Sequence, residues 1–156
     1  MRTAANVLRG RRNRALGEHA QNLAQSTLER MGFAMVERVE TPWRIHRNGL
    51  GRIISATPVA KVSGDLRAVA PDGRSVLAEV KMRDERLVFS DLDRHQVAAL
   101  DHHLRLRGVS LLVWVRLRPI AVDVLDWGTL RAAEFGPRAS LVPGCEQVRL
   151  ATVVAA

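Results

Sequence analysis

A chain of 156 residues with 47% hydrophobic content is long enough to bury one core and too short for two ordinary domains. Its net charge of +8, from 24 Lys and Arg against 16 Asp and Glu, argues for a polyanionic partner, most commonly nucleic acid, and against a small-molecule substrate. Cys145 is the single cysteine, which excludes an internal disulfide, and no long apolar span is present, so the composition predicts a soluble protein of a reducing compartment with no membrane attachment.

Residues 1 to 13 open the basic stretch MRTAANVLRGRRNR, which lacks an apolar stripe and reads as a flexible arm whose Arg11 and Arg12, with Arg14 just after it, would contact phosphates. A helix is predicted next, because Leu16, Ala20, Leu23, Thr27, Leu28 and Met31 recur at helical spacing and Gly32 supplies a stop. Glu18, Gln21, Asn22 and Gln25 fall on a second, polar face of that helix. Residues 33 to 39 and 43 to 46 read as strand material interrupted by Pro42. The segment RNGLGRIISATPVAKVSG then breaks pattern, and its length between strands predicts a protruding basic loop over 47 to 62 carrying Arg47, Arg52 and Lys61.

Asp65 to Ala70 and Ser75 to Lys81 read as two short strands joined by Pro71, Asp72 and Gly73, a three-residue loop built on a type I turn with Gly in the left-handed conformation. That loop pairs Ala70 with Arg74, and counting back sets Asp65 opposite Glu79 on one face, with Lys81 beside them. The other face, from Leu66 to Val80, is wholly apolar and calls for a core. Two facing carboxylates repel unless a cation lies between them, and a hard divalent ion such as Mg²⁺ or Mn²⁺ would serve. Only two of the 24 basic residues are lysines, so Lys81 is a notable choice. A compact ammonium whose pKa burial can lower suits a site that orients or deprotonates water better than a guanidinium does. The same spacing also fits a plain polar hairpin face with a Glu, Lys pair, and Glu18 also fits a solvated helix position.

Ser90 is expected to cap a helix that runs to Gly108, with Asp93 completing a capping-box pair, which gives Asp91 and Asp93 structural rather than metal-binding work. VSLLVWVRL reads as a buried strand, AVDVLDWGTLRAAEF as a further strand and a short helix, and residues 136 to 156 as a Pro- and Gly-containing tail. The five histidines, His19, His46, His95, His102 and His103, do not form a zinc pattern. Neither a nucleophile elbow nor a Gly-rich phosphate loop is present.

Asp65 followed by Glu79-Val80-Lys81 resembles the D…ExK signature of the PD-(D/E)xK nuclease superfamily. RALGEHAQ, residues 14 to 21, resembles the Gly, Glu helix motif of the RecU and Hjc type Holliday-junction resolvases, and FSDLDRHQVAAL, residues 89 to 100, resembles their segment with a His-Gln pair at a helix start. The resemblance spans roughly residues 14 to 116, with Gly64 standing where the superfamily name has Pro and Ser63-Gly64 where such chains often carry threonines. It implies an α/β fold with a restriction-endonuclease-like core, a central mixed sheet flanked by helices, in a nuclease domain over 14 to 135. It further implies Mg²⁺ or Mn²⁺ at Asp65, Glu79 and Glu18, water activation by Lys81, orientation of the site by Gln96, and His95 lining it. The partners implied are four-way DNA junctions entered by Arg47, Arg52 and Lys61, and a second copy of the chain in a homodimer, in the cytoplasm of a prokaryote or a phage-infected host. Two other readings stand beside this one: a superfamily nuclease acting on another DNA structure, and a non-catalytic basic module binding nucleic acid.

Overall fold

The computed structural model describes residues 4–59, 64–143 and 149–154. Lys61, Cys145 and the side chain of Arg11 lie outside the described residues. The expected arm is instead part of a long helix, α1 (Ala4–Arg30). Its run of Ala, Leu and Arg consists of strong helix formers, so the segment is helical without an apolar stripe to anchor it. Farther along, Ala20, Thr27 and Leu28 of the expected series are buried and Leu16, Leu23 and Met31 half-buried, and Ala24 is buried beside them. The helix ends as expected at Gly32, whose amide donates to Glu29 O while Phe33 N donates to Leu28 O, the two bonds of a Schellman cap.

Strands β1 (Ala34–Arg38), β2 (Trp43–Arg47) and β3 (Ile53–Pro58) follow. The expected loop over 47 to 62 is therefore half a strand: Ile53, Ile54 and Thr57 are β-branched, and they pair antiparallel with β2 as a separate two-stranded ribbon. Every residue of both ribbon strands is exposed. Arg47 and Arg52 sit at its turn, where Arg47 Nη1 donates to Gly51 O and Arg52 N to Asn48 Oδ1.

The hairpin of β4 (Leu66–Val69) and β5 (Ser75–Met82) has the register read from its turn, with Leu66 opposite Ala78 and Val69 opposite Ser75. Gly73 N donates to Ala70 O, and Gly73 has φ of 86°, which closes the type I turn with the left-handed residue it needs. After β6 (Leu87–Val88) and one 3₁₀ turn come α2 (Arg94–Arg105), β7 (Val109–Leu117), β8 (Ile120–Asp126) and α3 (Trp127–Ala132). The cap of α2 is Asp93 and not Ser90, because the 3₁₀ turn Phe89–Asp91 takes up the residues between them. The tail also differs from expectation. It contains β9 (Ser140–Leu141), paired with β6, and β10 (Arg149–Val154), which joins β8 as a sheet edge.

The main sheet is mixed, in the order β1-β4-β5-β7-β8-β10, with β5 and β7 parallel and the other pairs antiparallel. Alternation along the strands sends residues to two cores. Leu66, Ala68, Val76, Ala78, Leu111, Val113 and Val115 pack with α1 on one side. Leu77, Leu112, Trp114 and Leu125 pack with α2 and α3 on the other. No described helix is long and apolar enough to cross a membrane.

Gly64 sets the entry to β4. It has φ of 81°, and a Cβ there would lie 2.3 Å from Leu77 Cδ1. Gly73 shares the left-handed backbone but faces open space. Gly64→Ala is therefore expected to lose about 2 to 4 kcal/mol, strain plus a core clash, whereas Gly73→Ala loses about 1 kcal/mol from strain alone. Urea unfolding of both variants checks this, and equal losses would show that the contact with Leu77 yields without cost.

Candidate functional site

Because β4 begins only at Leu66, the last part of β5 runs on past it, and Val80 presents an amide to an edge with no strand opposite. Asp65 fills that place: its Oδ2 accepts from Val80 N at 2.8 Å, while its own N donates to Ala78 O at 2.8 Å. The carboxylate thus lies along the sheet margin, within reach of both helical layers. From the α1 side, Gln21 Nε2 donates to Asp65 Oδ1 at 3.2 Å. On the other side stands Glu79, whose side chain is 2% exposed.

Glu79 is the center of a small polar network. Lys81 Nζ lies 3.3 Å from Glu79 Oε1, and Gln96 Nε2 donates to that same oxygen. The Gln96 carbonyl Oε1 accepts from Lys81 Nζ at 2.9 Å and from Asp93 N at 2.8 Å. One glutamine therefore closes the start of α2 and ties it to both charged residues of β5, which fixes its amide orientation. Lys81 is 17% exposed and Glu79 2%, so the ammonium is the more solvent-accessible end of the pair.

The electrostatics follow from burial. Loss of water, then the charge of Asp65, pushes the Glu79 carboxyl up from 4.5 to about 7, and Lys81 offsets only part of this. Asp65 and Glu79 thus form an electrostatically interacting pair of carboxyl groups. Such a pair fits a hard divalent cation, because Mg²⁺ is held by one or two carboxylates together with water and phosphate oxygens, rather than by an all-protein cage.

The residues expected from sequence divide clearly. Asp65, Glu79, Lys81 and Gln96 come together. Glu18 does not join them: it is exposed, and Arg14 is 3.9 Å away as its ion-pair partner. Gln21, one turn farther along the same helix face, takes the place beside Asp65. That substitution was accessible from the polar face spacing, but an acidic residue attracts attention where a glutamine does not. No group of three or more His, Cys, Asp or Glu side chains positioned to hold a metal occurs among the described residues. His95 is half-buried and lies 3.9 Å from Asp93, outside the network. Asp91 is structural, as expected: its carboxylate receives Arg83 and the amide of Val88. No protein-family model matches the chain, and no curated protein matches it.

A raised carboxyl pKa makes stability depend on pH with a definite sign. The folded chain holds the Glu79 proton more tightly than the unfolded chain, so this contribution is full below about pH 4.5 and disappears as pH rises through about 7. Without divalent ions, wild type is expected to lose up to about 3 kcal/mol over that range relative to Glu79→Gln, which carries no such proton. Parallel melting curves from pH 4.5 to 8 measure the difference; identical pH profiles would mean that Glu79 is ionised throughout.

Proposed function

We propose that this chain is a divalent-metal-dependent endonuclease that resolves four-way DNA junctions. The observation that carries the proposal is the carboxylate pair of half-buried Asp65 and buried Glu79, held with Lys81 and Gln96 at the end of β5. An α/β fold whose mixed sheet continues an antiparallel hairpin into a parallel strand supports the restriction-endonuclease-like reading, as does the D…ExK resemblance.

Asp65 and Glu79 would hold Mg²⁺ or Mn²⁺, which when bound polarises a phosphoryl oxygen and makes a bound water more acidic. Lys81, the more exposed end of its pair with Glu79, would position the attacking water and a phosphate oxygen. Its ammonium is compact and has three rotatable donors, so it can keep Glu79 and Gln96 while still reaching a ligand. Gln96 would hold both partners in register. Glu18 stands outside this ligand set, and Gln21 would steady Asp65 in its place.

Specificity for a branch would come from the ribbon. At roughly 3.3 Å per residue its strands reach about 16 to 20 Å, with Arg47 and Arg52 at the tip, a form suited to the open center of a junction. A junction offers two symmetry-related strands, so a homodimer would present one active site to each.

The test is incubation of a labelled four-way junction and its matched linear duplex with Mg²⁺ and with chelator. Paired, symmetric incision of the junction in Mg²⁺ alone is expected. Asp65→Asn and Glu79→Gln are expected to retain junction binding in Ca²⁺ and to lose cutting by orders of magnitude. Lys81→Arg also loses cutting, because a fixed planar fork cannot replace the ammonium. Arg47→Ala with Arg52→Ala weakens discrimination between junction and duplex instead. Equal cutting of linear duplex, or cutting in chelator, would falsify the proposal, and a protein that stays monomeric on the junction would remove its dimeric part.

A further inference from the structure

A cavity of about 390 Å³ lies beyond the acidic pair, lined by Arg12 and Leu16 of α1, by Met82, Arg83 and Asp84, and by Leu117 and Arg118 where β7 ends. Its location follows from two elements already described. Met82 lies two residues past Val80, whose amide binds Asp65, in the same α1-facing series of β5, so the lining begins about 6.6 Å along the strand from that contact. Leu16 lies five residues before Gln21 on α1, about 7.5 Å along the helix axis from the contact with Asp65. The cavity therefore follows Asp65 along the α1, β5 seam, while Glu79 and Lys81 stand on the α2-facing side of the same strand.

The charges around it are unbalanced. Three guanidinium groups line the cavity against the single carboxylate of Asp84, and that carboxylate is engaged, accepting from Leu117 N at 2.7 Å. Arg83 is likewise engaged, donating to Asp91 Oδ1 from Nε at 2.9 Å and from Nη2 at 2.5 Å. Arg12 and Arg118 make no ion pair among the described residues, and both are exposed. They come from opposite walls, one from a helix and one from a strand end. Two unmatched guanidinium forks facing one small concavity suit a phosphate, because Arg binds its oxygens in a planar, bidentate manner.

We propose that this cavity binds a backbone phosphate of the nucleic-acid strand, neighboring the phosphate that lies at Asp65 and Glu79. The inference rests on the nuclease reading for the location of the cut. It adds a second anchoring point, formed by Arg12 and Arg118, that sets the path of the strand along the seam. The carboxylates repel a strand that lacks a metal, and the arginine cavity would offset this and hold the strand in register. Leu16 and Met82 give it an apolar floor beneath the exposed arginine pair.

The experiment compares junction binding in Ca²⁺ by wild type, by the double variant Arg12→Ala with Arg118→Ala, and by a control that removes the same charge, Arg105→Ala with Arg107→Ala, at the far end of α2. The cavity variant is expected to bind about tenfold more weakly, with a slope of log affinity against log salt shallower by about 1, as for one lost phosphate contact. The control should retain most of its affinity. Equal losses in both variants would reduce the effect to net charge, and no loss in the cavity variant would remove the site; either result overturns the proposal. If the cavity variant instead loses only protection against melting by inorganic phosphate, with junction affinity unchanged, the cavity takes a free anion and the strand path is wrong. Mn²⁺ binding by the same proteins separates this inference from the nuclease reading. A wild type that binds no metal and cuts nothing counts against the reading, while the salt slope still decides whether the cavity holds a phosphate.

Discussion

Two carboxylates compressed against each other at the margin of a sheet set the requirements for much of this molecule. Glu79 is buried in a position where water cannot dissipate its charge, and Asp65 adds a second negative charge beside it. Repulsion of this kind costs stability unless neighboring donors or a cation offset it. The surroundings supply the donors. Lys81 and Gln96 converge on the same Glu79 oxygen, while Val80 and Gln21 each bind a different oxygen of Asp65. Four elements meet at this point, so the pair cannot relax without disturbing the sheet and both helical layers.

The sheet makes that compression possible. Between them, β5 and β7 hold a continuous apolar interior on both faces, with Leu111, Val113 and Val115 on the α1 side and Leu112 and Trp114 on the other. Glu79 takes its place in the second alternating series, next to Leu77 and paired in register with Leu112. A rigid parallel pair thus carries Glu79 into a layer whose nearest neighbors on the strands, Leu77 and Leu112, are apolar. A site built on a strand rather than a loop keeps its geometry to within small tolerances, as the proposed phosphodiester chemistry would require. The exposed ribbon of β2 and β3 adds nothing to either core, and under the proposed function it would serve the branch of the substrate.

The hairpin was legible from its turn alone. Pro71, Asp72 and Gly73 permit few loop geometries, and once Ala70 is paired with Arg74 the facing of Asp65 and Glu79 follows by counting. Helix α1 was legible over its second half, where Ala20 to Met31 follow the helical period, but not over its first half, where propensity forms a helix without an apolar stripe. The ribbon was obscured because three glycines and a proline around Ile53 and Ile54 look like a loop until a partner strand is known. Strand β10 was missed for a related reason: pairing with β8 is a long-range event that local composition does not report. Glu18 was the misleading residue. Its charge draws attention, yet the helix turns Gln21 toward Asp65 and leaves Glu18 with Arg14. The cap of α2 moved from Ser90 to Asp93 because a short 3₁₀ turn, invisible to periodicity, precedes the helix.

If the acidic pair is a metal site, the cation must displace the proton that burial places on Glu79, and this coupling is measurable without any nucleic acid. Calorimetric titration of the protein with Mn²⁺ near pH 6.5, repeated in two buffers of different ionisation enthalpy, reports both binding and proton release. The account predicts a single site in wild type that releases a substantial fraction of one proton on binding, and no such site in Glu79→Gln. Equal Mn²⁺ affinity in the two proteins, or binding by wild type with no proton release, would contradict it.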